Sequence, residues 1–394
     1  MRMRFSAGLA TLAAAIALAT PSLAQECGGS FSQWKSVIEQ EARDAGVGQR
    51  GMQALANARV DERVLQRDRG QRFFTQSFTE VAGRLISSDR LQRGRNLLQL
   101  HASLFERGER EYGVPGSVIT AFWALETDFG AVQGDFNTLN ALVTLAHDCR
   151  RPELFRRHVV PLLQLIDSGA LPADVQGAWA GEIGQTQMLP ADILALGVDG
   201  DGDGRVDIRR SVPDVILTTA NKIRHRGWRA GEPWMEEVRI PGDLPWEETG
   251  RSNRLPISQW AAWGVTRADG SPLDTSRPDA GLTLPQGHRG PAFLLYPNFD
   301  VYLEWNQSLI YTLTAGHLAT RLAGAPAFDR RNPEPGLDRD QMMQLQRRLE
   351  ARGHDVGGID GILGVMTREA VRTEQQRLGM PVDGWPTPAL LSRL

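Results

Sequence analysis

Only two of the 394 residues are cysteine, which excludes a disulfide-rich scaffold and a cysteine-based zinc site. There is no basic surplus: 44 Lys+Arg face 47 Asp+Glu, which argues against a dedicated nucleic-acid binder. The chain carries no serine nucleophile elbow, no His-Glu-x-x-His zinc helix and no phosphate-binding glycine loop. Its seven histidines, His101, His147 and His225 among them, are scattered and read as surface or packing residues. A membrane span needs roughly 20 apolar residues, and the one long apolar run, Ala7 to Ala19, falls short of that. What remains is an average globular composition, 41% hydrophobic and 23% charged, over a length that suggests two or three domains.

The N-terminal run has the form of an export signal. Arg2 and Arg4 precede it, and Thr20, Pro21 and the small-x-small triplet Ser22-Leu23-Ala24 follow. Cleavage after residue 24 would take the net charge from −3 to −5 and leave a soluble periplasmic protein; an uncleaved anchor is the alternative. No leucine-led box of small residues directly precedes Cys27, which disfavours a lipoprotein. Cys27 and Cys149 both survive cleavage, and an even pair in an oxidising compartment reads as one disulfide, with two buried thiols as the alternative.

Residues 30–110 are predicted helical: Phe31, Trp34, Val37 and Ile38 recur at helical spacing, and Arg90 to Tyr112 forms a further stretch. Pro115 starts a mostly buried helix carrying Val118, Ile119, Phe122, Trp123 and Leu125. Further helices are expected at residues 138–147, 153–168, 214–225 and 307–322, and a small sheet or surface excursion within 230–300. The proline-rich stretch 325–336 reads as an extended linker, and the 58 residues beyond it as a small helical unit with a thin core.

Three segments carry chemistry. Glu126 sits near the end of an apolar helix among Phe122, Trp123 and Leu125, where desolvation would raise its pKa as a general acid requires. On chemistry alone, a capping or salt-bridged glutamate is the simpler reading. The run Gly181 to Pro190 mixes polar groups and glycines among apolar residues, which suits a groove floor or an ordinary tight loop. Asp199, Asp201 and Asp203 alternate before Gly204 and Arg205, as in the opening of a twelve-residue calcium loop. The twelfth position is Arg210 rather than glutamate, so Asp214 is the candidate closing ligand; a solvated acidic turn is the alternative.

In order and spacing these segments resemble the lytic murein transglycosylase B family from about residue 31 to 322. The resemblance rests on Glu126-Thr127 with Phe129-Gly130, Leu139 to Leu145, Arg150-Arg151, Trp179-Ala180-Gly181, Gly184 to Pro190 and the aspartates near 200. It continues through Ser211 to Asp214, Ala220-Asn221, Gly227-Trp228, Asn298-Phe299 and Trp305 to Ser308. The tail resembles a peptidoglycan-binding domain through Gln346-Arg347, Gly353, Ile359-Asp360-Gly361, Gly364, Thr367, Gln375 and Pro381 to Gly384. The implied fold class is mainly α: an α+β lysozyme-like catalytic domain at 25–324, a linker at 325–336 and a three-helix domain at 337–394.

The implied reaction cuts the β-1,4 bond between N-acetylmuramic acid and N-acetylglucosamine without water, leaving a 1,6-anhydromuramyl end. Ordinary glycosidases need two carboxylates. Here one stands out, and an intramolecular hydroxyl nucleophile removes the need for the second. Glu126 would serve as acid and then as base. Arg150, Arg151, Gln187, Trp305 and Asn306 would line the glycan or peptide groove. Two positions depart from the family pattern: Ala178 stands where a serine is common, and Lys222 where an aromatic is common. A hydrolytic muramidase and a catalytically disabled wall-binding protein are the other readings. The implied partner is the glycan strand, with no nucleic acid, no cofactor for the chemistry, structural calcium as an option, and a monomeric state.

Overall fold

The computed structural model describes residues 29–70 and 76–394; the expected export signal and Cys27 lie outside the described residues. Helices dominate, and they gather around two cores. Phe31–Asp44, Gln49–Asn57, Thr138–His147 and Pro152–Asp167 pack around Ile38, Leu55, Leu142 and Leu162. Ser88–Leu100, Ala102–Tyr112, Gly116–Thr127, Val212–His225 and Leu309–Leu322 surround Ile119, Phe122, Ile216 and Tyr302.

The stretch expected as one helix from Arg90 to Tyr112 is two, because His101 leaves helical geometry (φ −111°, ψ 30°). The two halves serve different neighbours. Ser88–Leu100 packs on Gly116–Thr127, whereas Ala102–Tyr112 packs mainly on Val212–His225. Gly116–Thr127 is apolar on almost every side and is therefore enclosed on almost every side. It starts after Pro115 and stops at Asp128, which adopts the left-handed conformation (φ 55°).

The strands are short. β1 (Phe136–Asn137) and β2 (Gln176–Gly177) form an antiparallel pair. The stretch 230–300 forms a sheet of β3 (Met235–Arg239), β4 (Arg254–Leu255), β5 (Thr266–Arg267), β6 (Ala280–Thr283) and β7 (Ala292–Leu295). Its order is β4-β6-β7-β3-β5, antiparallel throughout. β7 shows why a continuous apolar run fits here: Ala292 and Leu294 face Trp260, while Phe293 and Leu295 face Phe78 and Leu313.

Residues 325–336 have no helix or strand but do not form a free spacer. Phe328 stacks on Phe78 (5.0 Å), Asp329 N donates to Glu237, and the Glu334 carbonyl accepts from Trp385 Nε1 at 3.0 Å. The tail helices Arg339–Glu350, Val365–Arg377 and Pro388–Arg393 close a small core of Leu345, Leu349, Val371 and Leu390. That unit docks on the connections between the strands of the sheet. Arg372 donates to the carbonyls of Trp246 (3.4 Å) and Glu247 (2.8 Å), and His288 Nδ1 lies 2.6 Å from Asp383. A cavity of about 1180 Å³ lies between the tail and the body, lined in part by Asn306, Ser308, Arg368 and Trp385.

Candidate active site

Glu126 occupies the last turn of Gly116–Thr127, half-buried, with protein on the remaining sides. Two donors converge on one of its oxygens: Trp305 Nε1 lies 2.8 Å from Oε1, and the Tyr311 hydroxyl donates to the same atom. Neither of these bonds uses Oε2. Burial pushes the carboxyl pKa above its ordinary value, while Tyr311, Trp305 and the charge of Lys222 pull it back. The glutamate is thus neither a cap nor half of a tight ion pair.

The loop after β2 is tied to this helix. Gln185 Oε1 accepts from Trp123 Nε1 at 2.8 Å, and the Gln185 carbonyl accepts from Thr127 Oγ1. Glycine is required where the loop turns back on itself: a Cβ at Gly177 would lie 2.1 Å from the Glu182 carbonyl oxygen. Glu182 is a second carboxyl in this enclosure. Burial, together with the charge of Glu126, pushes it up to about 7. Its surroundings also include Lys222.

Other expected site residues take different places. Trp305 stacks on Phe122 with ring centroids 4.3 Å apart, and Lys222 Nζ lies 4.2 Å from its ring centroid. The ring expected to stack on a sugar thus contacts Phe122 and Lys222, and its N–H is given to Glu126. Asn306 ends the helix Phe299–Trp305 and accepts from Ser308 N at 2.9 Å. Gln187 adopts a left-handed conformation (φ 50°) and donates to the carbonyls of Gly184 and Gln133. Arg150 and Arg151 both pair with the buried Asp68, Arg150 at 2.8 Å, and neither bonds Glu126.

Asp128, two residues from the acid, is bound by Arg93 (2.6 Å) and Arg90 (3.1 Å), and Arg93 holds its pKa down. Arg93 is therefore a capping partner of the helix that carries Glu126.

Asp199, Asp201 and Asp203 bring carboxylate oxygens within 4.8 Å of one another, a hard-oxygen donor set that fits a divalent cation. Asp199 also accepts the backbone N–H groups of Gly202, Asp203 and Gly204. Arg205, at the seventh position of the loop, donates its N–H to Asp203. Asp214 does not join the three. Its oxygens accept Gly200 N (2.8 Å) and Asp207 N (2.6 Å), so it braces the loop from behind.

Sequence reasoning missed Tyr311 and Glu182 as neighbours of the acid. Tyr311 stands three residues after Ser308, the N-cap of Leu309–Leu322, so the cap fixed its helix but not its direction.

Residues 30–320 match the Transglycosylase SLT domain family, and residues 338–394 a peptidoglycan binding domain. The chain belongs to this transglycosylase family, and its fold is the lysozyme-like fold of lytic transglycosylases. It is similar to membrane-bound lytic murein transglycosylase B of Escherichia coli strain K12, with 29% identity over 61% of this chain and 66% of that protein. SltB3 from Pseudomonas aeruginosa, solved in complex with NAG-anhNAM-pentapeptide, is 38% identical (TM-score 0.85), over 93% of this chain and 99% of that one. Escherichia coli Slt35, solved in complex with calcium, is 27% identical (TM-score 0.60), over 72% of this chain and 92% of that one.

Proposed function

We propose that the protein cleaves the β-1,4 bond between N-acetylmuramic acid and N-acetylglucosamine in peptidoglycan and leaves a 1,6-anhydromuramyl end. The observation that carries this reading is the state of Glu126. Burial raises its carboxyl pKa above the ordinary value, and the Trp305 and Tyr311 donors both fall on Oε1. In the first step the Glu126 proton passes to the glycosidic oxygen as the C1–O bond breaks. In the second the muramyl 6-hydroxyl attacks C1, its oxygen forms the new bond, and its proton returns to Glu126. The donors from Trp305 and Tyr311 strengthen as the carboxylate forms between the two steps.

Wild type and Glu126→Gln acting on purified sacculi test this. Mass analysis of the muropeptides should show anhydro ends from the wild type only, lighter than reducing ends by one water. A hydrolytic muramidase is the second reading, favoured by Glu182 beside Glu126. Under hydrolysis, reducing ends appear and Glu182→Gln abolishes them. Under the anhydro route, Glu182→Gln still releases anhydro ends.

The wider reading has the same footing. The signal pattern at 1–24 supports export to the periplasm as a soluble, monomeric protein, and no helix among the described residues is long and apolar enough to cross a membrane. Two cysteines, with none free among the described residues, support a Cys27–Cys149 disulfide. Asp199, Asp201 and Asp203 would hold calcium, with the Arg205 backbone, as a structural brace under the groove floor. Residues 337–394 would hold the enzyme on the wall, and Gln187, Asn306, Arg150 and Arg151 would bound the strand's path.

A further inference from the structure

Of the chain's 44 basic residues, two are lysines, Lys35 and Lys222. Lys35 is at the surface, donating to the Ala56 carbonyl. Lys222 is buried within the helix Val212–His225. A buried ammonium is costly unless it is paired and solvated by protein. Lys222 Nζ has two such neighbours: Asp192 Oδ2 at 3.0 Å and the Trp305 ring, whose centroid is 4.2 Å away. The same indole donates its N–H to Glu126 Oε1 at 2.8 Å and is packed against Phe122.

We propose that Lys222 is a positioning residue for Glu126: its ammonium holds the Trp305 indole in line with Oε1 and places a fixed positive charge beside the carboxyl. The proposal rests on the acid-then-base reading of Glu126 given above. A single group that must both give and retake a proton needs its two forms close in free energy. Burial disfavours the Glu126 carboxylate, and the Lys222 charge opposes it.

The groups around this charge leave it net positive. Asp192 is shared with Arg226 at 3.3 Å, so two cations meet one anion. His158, on the neighbouring helix, is pushed down to about 4 by burial and is neutral at working pH. Tyr311, the other group on Glu126, is raised well above its ordinary value by burial and donates as a neutral phenol. Burial also lowers the Lys222 pKa, and the pairing with Asp192 opposes that shift. A compact ammonium can sit over one ring and one carboxylate, where a guanidinium would demand a planar fork of acceptors.

Lys222→Met should fold, because Asp192 keeps Arg226. Its kcat/KM on short glycan strands should lose the alkaline limb about one pH unit higher than wild type, since removing a positive charge raises the Glu126 pKa. Lys222→Arg should return the limb towards the wild-type position. An unmoved limb in a folded Lys222→Met protein overturns the proposal.

A second measurement needs no turnover. Lysine labelled with carbon-13 at Cε gives two signals, from Lys35 and Lys222. The Lys222 signal should report a charged amine at neutral pH and shift in Glu126→Gln. A neutral amine, or a signal blind to Glu126→Gln, overturns the proposal even if Lys222→Met fails to fold. Should wild type make no anhydro ends, the cleavage reading fails, and the lysine signals still decide whether the two groups are coupled.

Discussion

In the proposed reaction Glu126 divides its work between two oxygens: Oε1 takes the bonds of Trp305 and Tyr311, and Oε2 would carry the reacting proton. Replacing it by glutamine keeps the shape and removes the proton, so turnover should fall by about 10²–10⁴-fold with little change in melting temperature. Tyr311→Phe has a signed effect. The lost hydrogen bond favours the carboxylate, so its removal raises the Glu126 pKa and moves the alkaline limb of kcat/KM upwards; a limb that moves down contradicts this. The protonation side of the site was only half legible in the sequence. Apolar neighbours of Glu126 in the chain imply desolvation, but Trp305, Tyr311 and Lys222 come from distant segments, and local spacing does not encode their approach. The protein contacts of Trp305 were hidden for the same reason: an aromatic beside a groove looks alike whether its face meets a ligand or Phe122 and Lys222.

At the scale of elements, the acid helix is held at its end by charge. Asp128 in left-handed geometry ends it, and Arg90 and Arg93 bind that aspartate. Caps and periodicity made much of this level readable. Thr138–His147 is the helix the sequence predicts, and Ser308 and Pro152 mark two further starts within two residues of expectation. The break at His101 was hidden, because neither proline nor glycine marks it and the cause is a change of packing partner.

The Arg150–Arg151 pair joins Thr138–His147 and its successor to Glu62–Arg69 through Asp68. Burial would raise the Asp68 pKa, but the two arginines hold it below its ordinary value. Its stabilisation is therefore complete above the unfolded carboxyl range near pH 4 and is lost as pH falls through the lower folded value. Asp68→Asn should cost about 1–3 kcal/mol at neutral pH, read by urea unfolding, and that cost should shrink in acid. In the aspartate loop, the convergence of Asp199, Asp201 and Asp203 predicts that added calcium raises the melting temperature and a chelator lowers it. A metal-free protein that ignores calcium would leave the loop a self-bonded turn.

At the scale of the whole molecule, the tail is fastened to the loops that join the strands rather than tethered by a loose spacer. Composition alone made 325–336 a linker, and it is extended, but Phe328 and Glu334 seat it along the body. Burial alone would raise the Asp383 pKa, while hydrogen bonds led by His288 hold it below the ordinary range. Asp383→Asn should accordingly lower stability above about pH 4 and cease to matter in stronger acid. Removing residues 337–394 should weaken sacculus pull-down while sparing turnover of short soluble strands. Undiminished pull-down would place the wall contact on the catalytic body.

The central claim is that no water enters the bond that is cut. Digesting sacculi in water enriched in heavy oxygen tests it directly. The account predicts muramyl ends that are anhydro and carry no solvent oxygen. One heavy oxygen incorporated at each newly cut muramyl end would contradict it and make the enzyme a hydrolase.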